Sequence, residues 1–188
     1  MKVIVVYESK YGNTKRVAEI IVEGINAIER VEAVLKEPKH MDPTEVFDYD
    51  VILIGSPNHI GGPTRGIKKF IDKLGKTELE GKLGAVFDTY MGRDFNKAVR
   101  KMEKRINEKV PSLKLITPGL STKVGGMKGP IVEGELPKCK EFGNKIAKQV
   151  CMQRFNYDLK PRAGFEPATN SLRGCRSTGL SHRGPPLN

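Results

Sequence analysis

The sequence predicts an α/β protein in which a parallel sheet carries helices on both faces. Short β-branched runs recur along the chain, at Val3 to Tyr7, Asp50 to Gly55 and Leu83 to Phe87. Each is apolar almost throughout and lacks helical spacing, the pattern of a strand buried on both faces. Between them, apolar residues recur at three- and four-residue steps, as in Val17, Ala18, Ile21, Val22, Ile25 and Ile28, which marks an amphipathic helix. Strands that alternate with helices are joined by crossovers and lie parallel.

The elements follow in order. The strand at Val3–Tyr7 leads through Ser9-Lys10-Tyr11-Gly12-Asn13-Thr14 into the first helix. Val31 to Leu35 is apolar on alternate positions and flanked by charge, so it reads as a strand near a sheet edge. Pro38 and Pro43 bracket a loop. The strand at 50–55 ends in Ser56-Pro57-Asn58-His59-Ile60-Gly61-Gly62-Pro63, after which Thr64 caps a helix with Ile67, Phe70, Ile71 and Leu74 on one face and Gly75 at its end. The strand at 83–87 opens into a loop from Asp88 to Asp94, and Phe95, Ala98, Val99, Met102 and Ile106 form the next stripe. Leu113 to Ile116 is the fifth and last strand; a glycine-rich connection from Pro118 to Pro130 precedes a helix from about Glu135 to Val150.

Three loops of unusual composition leave strand carboxyl ends, and ligands of open parallel sheets bind there. The first is hydroxyl-rich and opens a helix, whose first N–H groups lack internal partners and sit at the positive end of the dipole. Ser9, Asn13 and Thr14 add donors, and Gly12 permits a tight turn. Taken alone, this is either an anion site or a βα connection capped by Thr14. No G-x-x-x-x-G-K-[ST] and no G-x-G-x-x-G is present, which excludes a nucleotide-hydrolysing P-loop and the dinucleotide fingerprint.

Ser9-Lys10-Tyr11-Gly12-Asn13-Thr14 resembles the phosphate loop of the flavodoxin family, [ST]-x-[ST]-G-x-[ST], departing from it at Tyr11. Gly55 to Pro63 looks like that family's segment folded over the flavin ring, and Asp88, Thr89, Tyr90, Met91 and Gly92 resemble the loop supporting the other ring face, with Asp88 and Thr89 where the family often carries glycines. The resemblance covers residues 2 to 150. It implies a flavodoxin-like three-layer sandwich with a five-stranded parallel sheet, and FMN held noncovalently by Ser9–Thr14, Ser56–Gly62 and Asp88–Gly92. His59 and Ile60 are then expected on one ring face, and Tyr90 stacked on the other with Met91 as softer cover. It also implies electron exchange with redox partner proteins or a quinone, with no catalytic residue of the chain's own. The closest rival is a small NAD(P)H-dependent flavin or quinone reductase using the same site.

The formal net charge of +11 raises a nucleic-acid-binding module as a rival of another class. Basic and acidic residues are interleaved, as in Arg100 to Arg105, and there is no Trp and no basic stripe with aromatics, which argues against nucleic acid. His40, His59 and His182 have no metal-ligand spacing. Cys139, Cys151 and Cys175 form no C-x-x-C and suit a reducing compartment. The chain enters a strand at once, without the marks of a signal peptide, and no apolar run approaches the ~20 residues of a membrane span; a cytoplasmic location is the expectation. No feature specifies an oligomer.

From Cys151 the composition changes, so two segments are expected: an FMN-binding domain over 1–150 and a basic, disordered extension over 151–188. Within it, Arg162 to Arg173 (R-A-G-F-E-P-A-T-N-S-L-R) resembles translated tRNA-gene sequence, an unselected appendage to the reading frame.

Overall fold

A computed structural model describes residues 1–158, with side chains described as far as Gln153. The tRNA-like stretch and most of the expected extension lie outside the described residues. The order is β1 (Lys2–Tyr7), α1 (Asn13–Asn26), β2 (Glu32–Lys36), β3 (Val51–Pro57), α2 (Arg65–Leu74), β4 (Leu83–Tyr90), α3 (Lys97–Lys109), β5 (Lys114–Leu115), β6 (Leu120–Lys123) and α4 (Glu135–Asp158). The strands run parallel in the order β2-β1-β3-β4-β5, with β6 also on β4. The expected edge strand β2 is at the edge.

The continuous apolar runs are buried because each central strand feeds two cores. Val3, Val5, Val51, Leu53, Ala85 and Phe87 face α1 and α4. Ile4, Val6, Ile52, Ile54 and Val86 face α2 and α3. This is the three-layer sandwich. On the first face two glycines let helices meet backbone to backbone. A Cβ on Gly24 of α1 would lie 2.2 Å from the Lys140 carbonyl oxygen, and one on Gly143 of α4 would lie 2.2 Å from that of Ile21. On the second face Arg105 of α3 donates from Nε and Nη2 to both carboxylate oxygens of Asp72 on α2, at 2.9 and 2.6 Å.

Four expectations change. The fifth strand is in two pieces: β5 pairs with Leu83 and Gly84, and β6 with Phe87 to Tyr90, so the connection after residue 118 contains a strand. Pro118 has no N–H for the ladder, and a Cβ on Gly119 would press on Val99 and Val86 at 2.5 and 2.7 Å. The proline-bracketed loop instead forms two 3-10 turns, Pro38–His40 and Pro43–Asp48, the second opened by a capping box of Asp42 and Glu45. β4 runs three residues beyond Phe87, which places Asp88, Thr89 and Tyr90 in the strand. Helix α4 continues past residue 150 to Asp158.

Among the described residues, the buried hydrophobic side chains of α4, Cys139, Phe142, Ile146, Ala147 and Val150, all precede residue 151. Truncation after Gln153 is therefore expected to leave the thermal midpoint unchanged in calorimetry; a fall of several degrees would show that residues 154–188 belong to the folded unit.

Candidate functional site

The first strand ends at the point where the sheet reverses its order, between β1 and β3, and the loop that follows is tied to both. Glu8 donates its backbone N–H to the Gly55 carbonyl at 3.2 Å, and its carboxylate accepts from the Thr64 hydroxyl at 2.5 Å. Ser9 Oγ accepts from the Gly12 N–H at 3.1 Å. Gly12, not Thr14, is the N-cap of α1; it sits at φ 88° with open space where a Cβ would be. That conformation suits glycine. No side chain caps α1, and its first turn holds no acidic residue, so the dipole's positive end is left for an anion from outside the chain. Thr14 is buried, and its hydroxyl lies 2.8 Å from that of Thr89 on β4. With Thr89 as donor, the Thr14 proton is available to a ligand oxygen.

The second loop is a hairpin. Asn58 N–H donates to the Thr89 carbonyl at 2.7 Å and its side-chain amide to the Asp94 carbonyl at 3.1 Å, joining the loop to β4 and to the segment after it. Its Oδ1 is buried with no partner among the described residues. At the tip, His59 N–H donates to the Gly62 carbonyl at 2.7 Å, with Ile60 at φ 52° and Gly61 at φ 71°. A β-branched residue at positive φ is strained by about 1–3 kcal/mol, and Ile60 is 92% exposed.

Between these loops lies a cleft of about 290 Å³, near the small end of ligand sites. Its walls are Ser9, Lys10, Tyr11, Asn13, Thr14, Pro57, Asn58, His59, Ile60, Thr89 and Met91, all anticipated, together with Thr64, Val124 and Met127. A wider lobe of about 750 Å³ shares Ser9, Lys10, Pro57, His59, Ile60 and Thr64, and continues to Arg65 and Lys68. Val124 and Met127 come from the glycine-rich connection after Pro118, whose sequence carries no binding motif. Thr64 was legible only as a helix cap, a role it does fill by accepting from Ile67 N–H at 3.3 Å.

Other anticipated residues stand beside the cleft, not on its wall. Gly12, Gly61 and Gly92 shape turns at positive φ. Gly62 accepts across the hairpin, and buried Ser56 braces it, accepting from Thr64 N–H at 3.0 Å. Strand alternation sends Asp88 and Tyr90 to the face opposite Thr89. Tyr90 packs edge-on against Phe95, ring centroids 5.5 Å apart, so the tyrosine on the cleft wall is Tyr11.

Asp88 serves α3. Its carboxylate accepts from Val99 N–H at 3.1 Å and from the Ser121 hydroxyl at 2.5 Å, while Ser121 accepts from Asn96 N–H at 3.1 Å. No side chain caps α3 locally, so Asp88 and Ser121 satisfy its first turn from the sheet. Burial pushes the Asp88 carboxyl up from 3.8 to about 6, opposed by these hydrogen bonds. A folded-state pKa above the unfolded one means stability that is present below about 3.8 and lost as pH rises to about 6. The Asp88→Asn variant should lack that slope: chemical denaturation at pH 4 and pH 7 should show wild type losing ~2 kcal/mol more than the variant. Parallel pH profiles would reject it.

A doubly wound parallel sheet with an open cleft at the β1/β3 reversal and an uncapped helix start defines a mononucleotide-binding protein of the 2-1-3-4-5 order. The profile of the family described as flavodoxin domain matches residues 4–124. A flavodoxin of Clostridium saccharobutylicum is 35% identical over 89 residues, 47% of this chain and 56% of its own, so the match spans about half of that curated relative. Two solved structures are similar over nearly their whole length. A flavodoxin from the domain Archaea is 29% identical with TM-score 0.68, covering 80% of this chain and 99% of its own. Oxidised Flavodoxin 2 from Bacillus cereus is 30% identical with TM-score 0.69, covering 79% and 99%. The chain belongs to the flavodoxin domain family, whose cofactor is FMN. The residues present fit that group: an uncapped helix start for a phosphate, an unpartnered buried acceptor at Asn58 and a cleft between two loops.

Among the described residues no helix is long and apolar enough to cross a membrane, and no cluster of His, Cys, Asp and Glu could hold a metal.

Proposed function

We propose that this chain binds FMN in the cleft and carries electrons between redox partner proteins. The observation that carries the reading is the start of α1, where Gly12 leaves the first-turn N–H groups uncapped beside the Thr14–Thr89 hydroxyl pair. In this reading Ser9, Asn13 and Thr14 hold the phosphate with those N–H groups. Pro57 to Ile60 flank one side of the ring, and Tyr11, Met91 and Met127 the other walls. Asn58 Oδ1 accepts from a ligand N–H, and the buried Thr14–Thr89 pair keeps water from the phosphate end. FMN, when bound, supplies the redox chemistry, and the chain binds, orients and shields it.

The carrier reading predicts slow reduction by NADPH alone and fast reduction once a flavodoxin reductase is added, followed anaerobically by visible absorbance. Fast steady-state turnover with NADPH and a quinone would overturn it in favour of the reductase. The sparse cysteines support a reducing, cytoplasmic setting.

A further inference from the structure

The net charge is not spread evenly over the fold. Four segments leaving the carboxyl ends of the strands, residues 8–16, 58–68, 91–101 and 124–134, hold ten Lys and Arg against three Asp and Glu, while the one after β2, residues 37–47, holds one against three. Connections at the opposite end, residues 27–32, 48–50, 75–82 and 109–114, hold five against six. The chain thus has one basic pole, and it is the pole of the cleft. Among the described residues, Arg65, Lys68, Arg93 and Lys101 there take part in no ion pair.

The same pole gathers apolar surface. Among the described residues, four of the eight exposed large hydrophobic side chains, Tyr11, Ile60, Met91 and Met127, line the cleft, and a fifth, Phe95, packs on Tyr90 in the segment beside it. Ile60 stands at the hairpin tip in a backbone conformation that glycine or asparagine would adopt without strain. The side chains of Lys101 and Lys97 reach the hairpin at Gly62 and Gly61, within 3.1 and 4.0 Å of a Cβ placed there. The arrangement is an apolar centre with a cationic ring, the anatomy of a transient protein interface. A phosphate backbone would match the ring and leave the apolar centre without a partner.

We propose that this pole is the docking face for a protein that presents clustered Asp and Glu around an apolar centre, with Ile60 as the central anchor. The proposal names the partner class for the carrier reading and rests on it. Opposite charge steers encounter and sets register, so binding should weaken steeply with salt.

The test uses the full chain loaded with FMN and, as probe, an oxidised [2Fe–2S] ferredoxin of net negative charge, with affinity read by calorimetry at low and high salt. The expected result is ferredoxin binding at low salt that exceeds binding of a basic cytochrome c. An Arg65→Glu/Arg93→Glu/Lys101→Glu variant should lose at least tenfold in affinity. A Lys76→Glu/Lys109→Glu/Lys114→Glu variant at the opposite pole should keep it. Ile60→Gly, compared with wild type at equal FMN occupancy because Ile60 also flanks the ring, should weaken binding severalfold while leaving the fold at least as stable in a thermal melt. Preference for cytochrome c, or equal loss from both charge reversals, would overturn the proposal. So would duplex DNA binding tighter than ferredoxin and indifferent to Ile60→Gly, which would assign the pole to nucleic acid. FMN absorbance separates the two readings: flavin bound without ferredoxin preference defeats the docking face alone, and ferredoxin preference in a chain that takes up no FMN defeats the carrier reading alone.

Discussion

Replacing Ser9 and Thr14 together by alanine is expected to weaken FMN binding at least tenfold and to leave riboflavin binding nearly unchanged. Hydrogen bonds to a charged group contribute ~1.5–3 kcal/mol each, and riboflavin lacks the phosphate that would receive them. The double change also strips two supports from the loop, because Ser9 Oγ accepts from the Gly12 N–H and Thr14 pairs with Thr89 in a buried position. An unpartnered Thr89 hydroxyl costs about 1–3 kcal/mol of stability. Fluorescence titration with both flavins removes that ambiguity: structural damage lowers both affinities, whereas loss of the phosphate donors lowers one. Equal losses would reject the assignment of the helix start.

A second large effect is expected from adding one methyl group to Gly143. On an exposed helix position, Gly→Ala stabilises by about 1 kcal/mol. Here the new Cβ would sit 2.2 Å from the Ile21 carbonyl oxygen and 3.1 Å from the Ile25 backbone nitrogen, so α4 must move off α1. Overpacking of this kind costs ~1–3 kcal/mol or more. Gly143→Ala should therefore lower the thermal midpoint by about 4–10 °C, the reverse of its helix propensity. Gly24→Ala, directed at the Lys140 carbonyl, should behave alike, and the double variant should lose less than the two losses combined, because one displacement relieves both clashes. A raised midpoint in either single variant would show that the helices do not meet through these glycines.

The sheet and its two cores were legible because strands buried on both faces leave unbroken apolar runs, and helices covering them leave stripes at three- and four-residue steps. Thr64 bounds α2 as its capping chemistry requires, whereas Gly75 ends it in a right-handed conformation and is held to glycine by the Lys109 carbonyl, 2.3 Å from where a Cβ would sit. The reading failed where polar residues are buried by specific partners. Leu120-Ser121-Thr122-Lys123 carries no strand signal between glycines and prolines; it is a strand because Ser121 bonds Asp88 and Thr122 meets the Cys139 thiol at 3.4 Å. The same blindness ended β4 at Phe87, so Asp88, Thr89 and Tyr90 were grouped as one loop. Three more strand residues send them to alternate faces, which moves Tyr90 off the cleft and turns Asp88 into a cap for α3. The location of the positive charge was likewise hidden, since four distant segments form one pole only through the topology.

The two cores also differ in when they can exist. Every buried residue of the core under α2 and α3 lies between Ile4 and Leu113. The core under α1 closes with Cys139, Phe142, Ile146, Ala147 and Val150. During synthesis, a chain that has emerged as far as residue 113 can complete the first core while α1 and one face of the sheet still lack their cover. That uncovered face is a strip of Val, Leu and Phe side chains awaiting the last helix. The interval between translation of β5 and of α4 is therefore the period in which this protein is most exposed to aggregation and to chaperones.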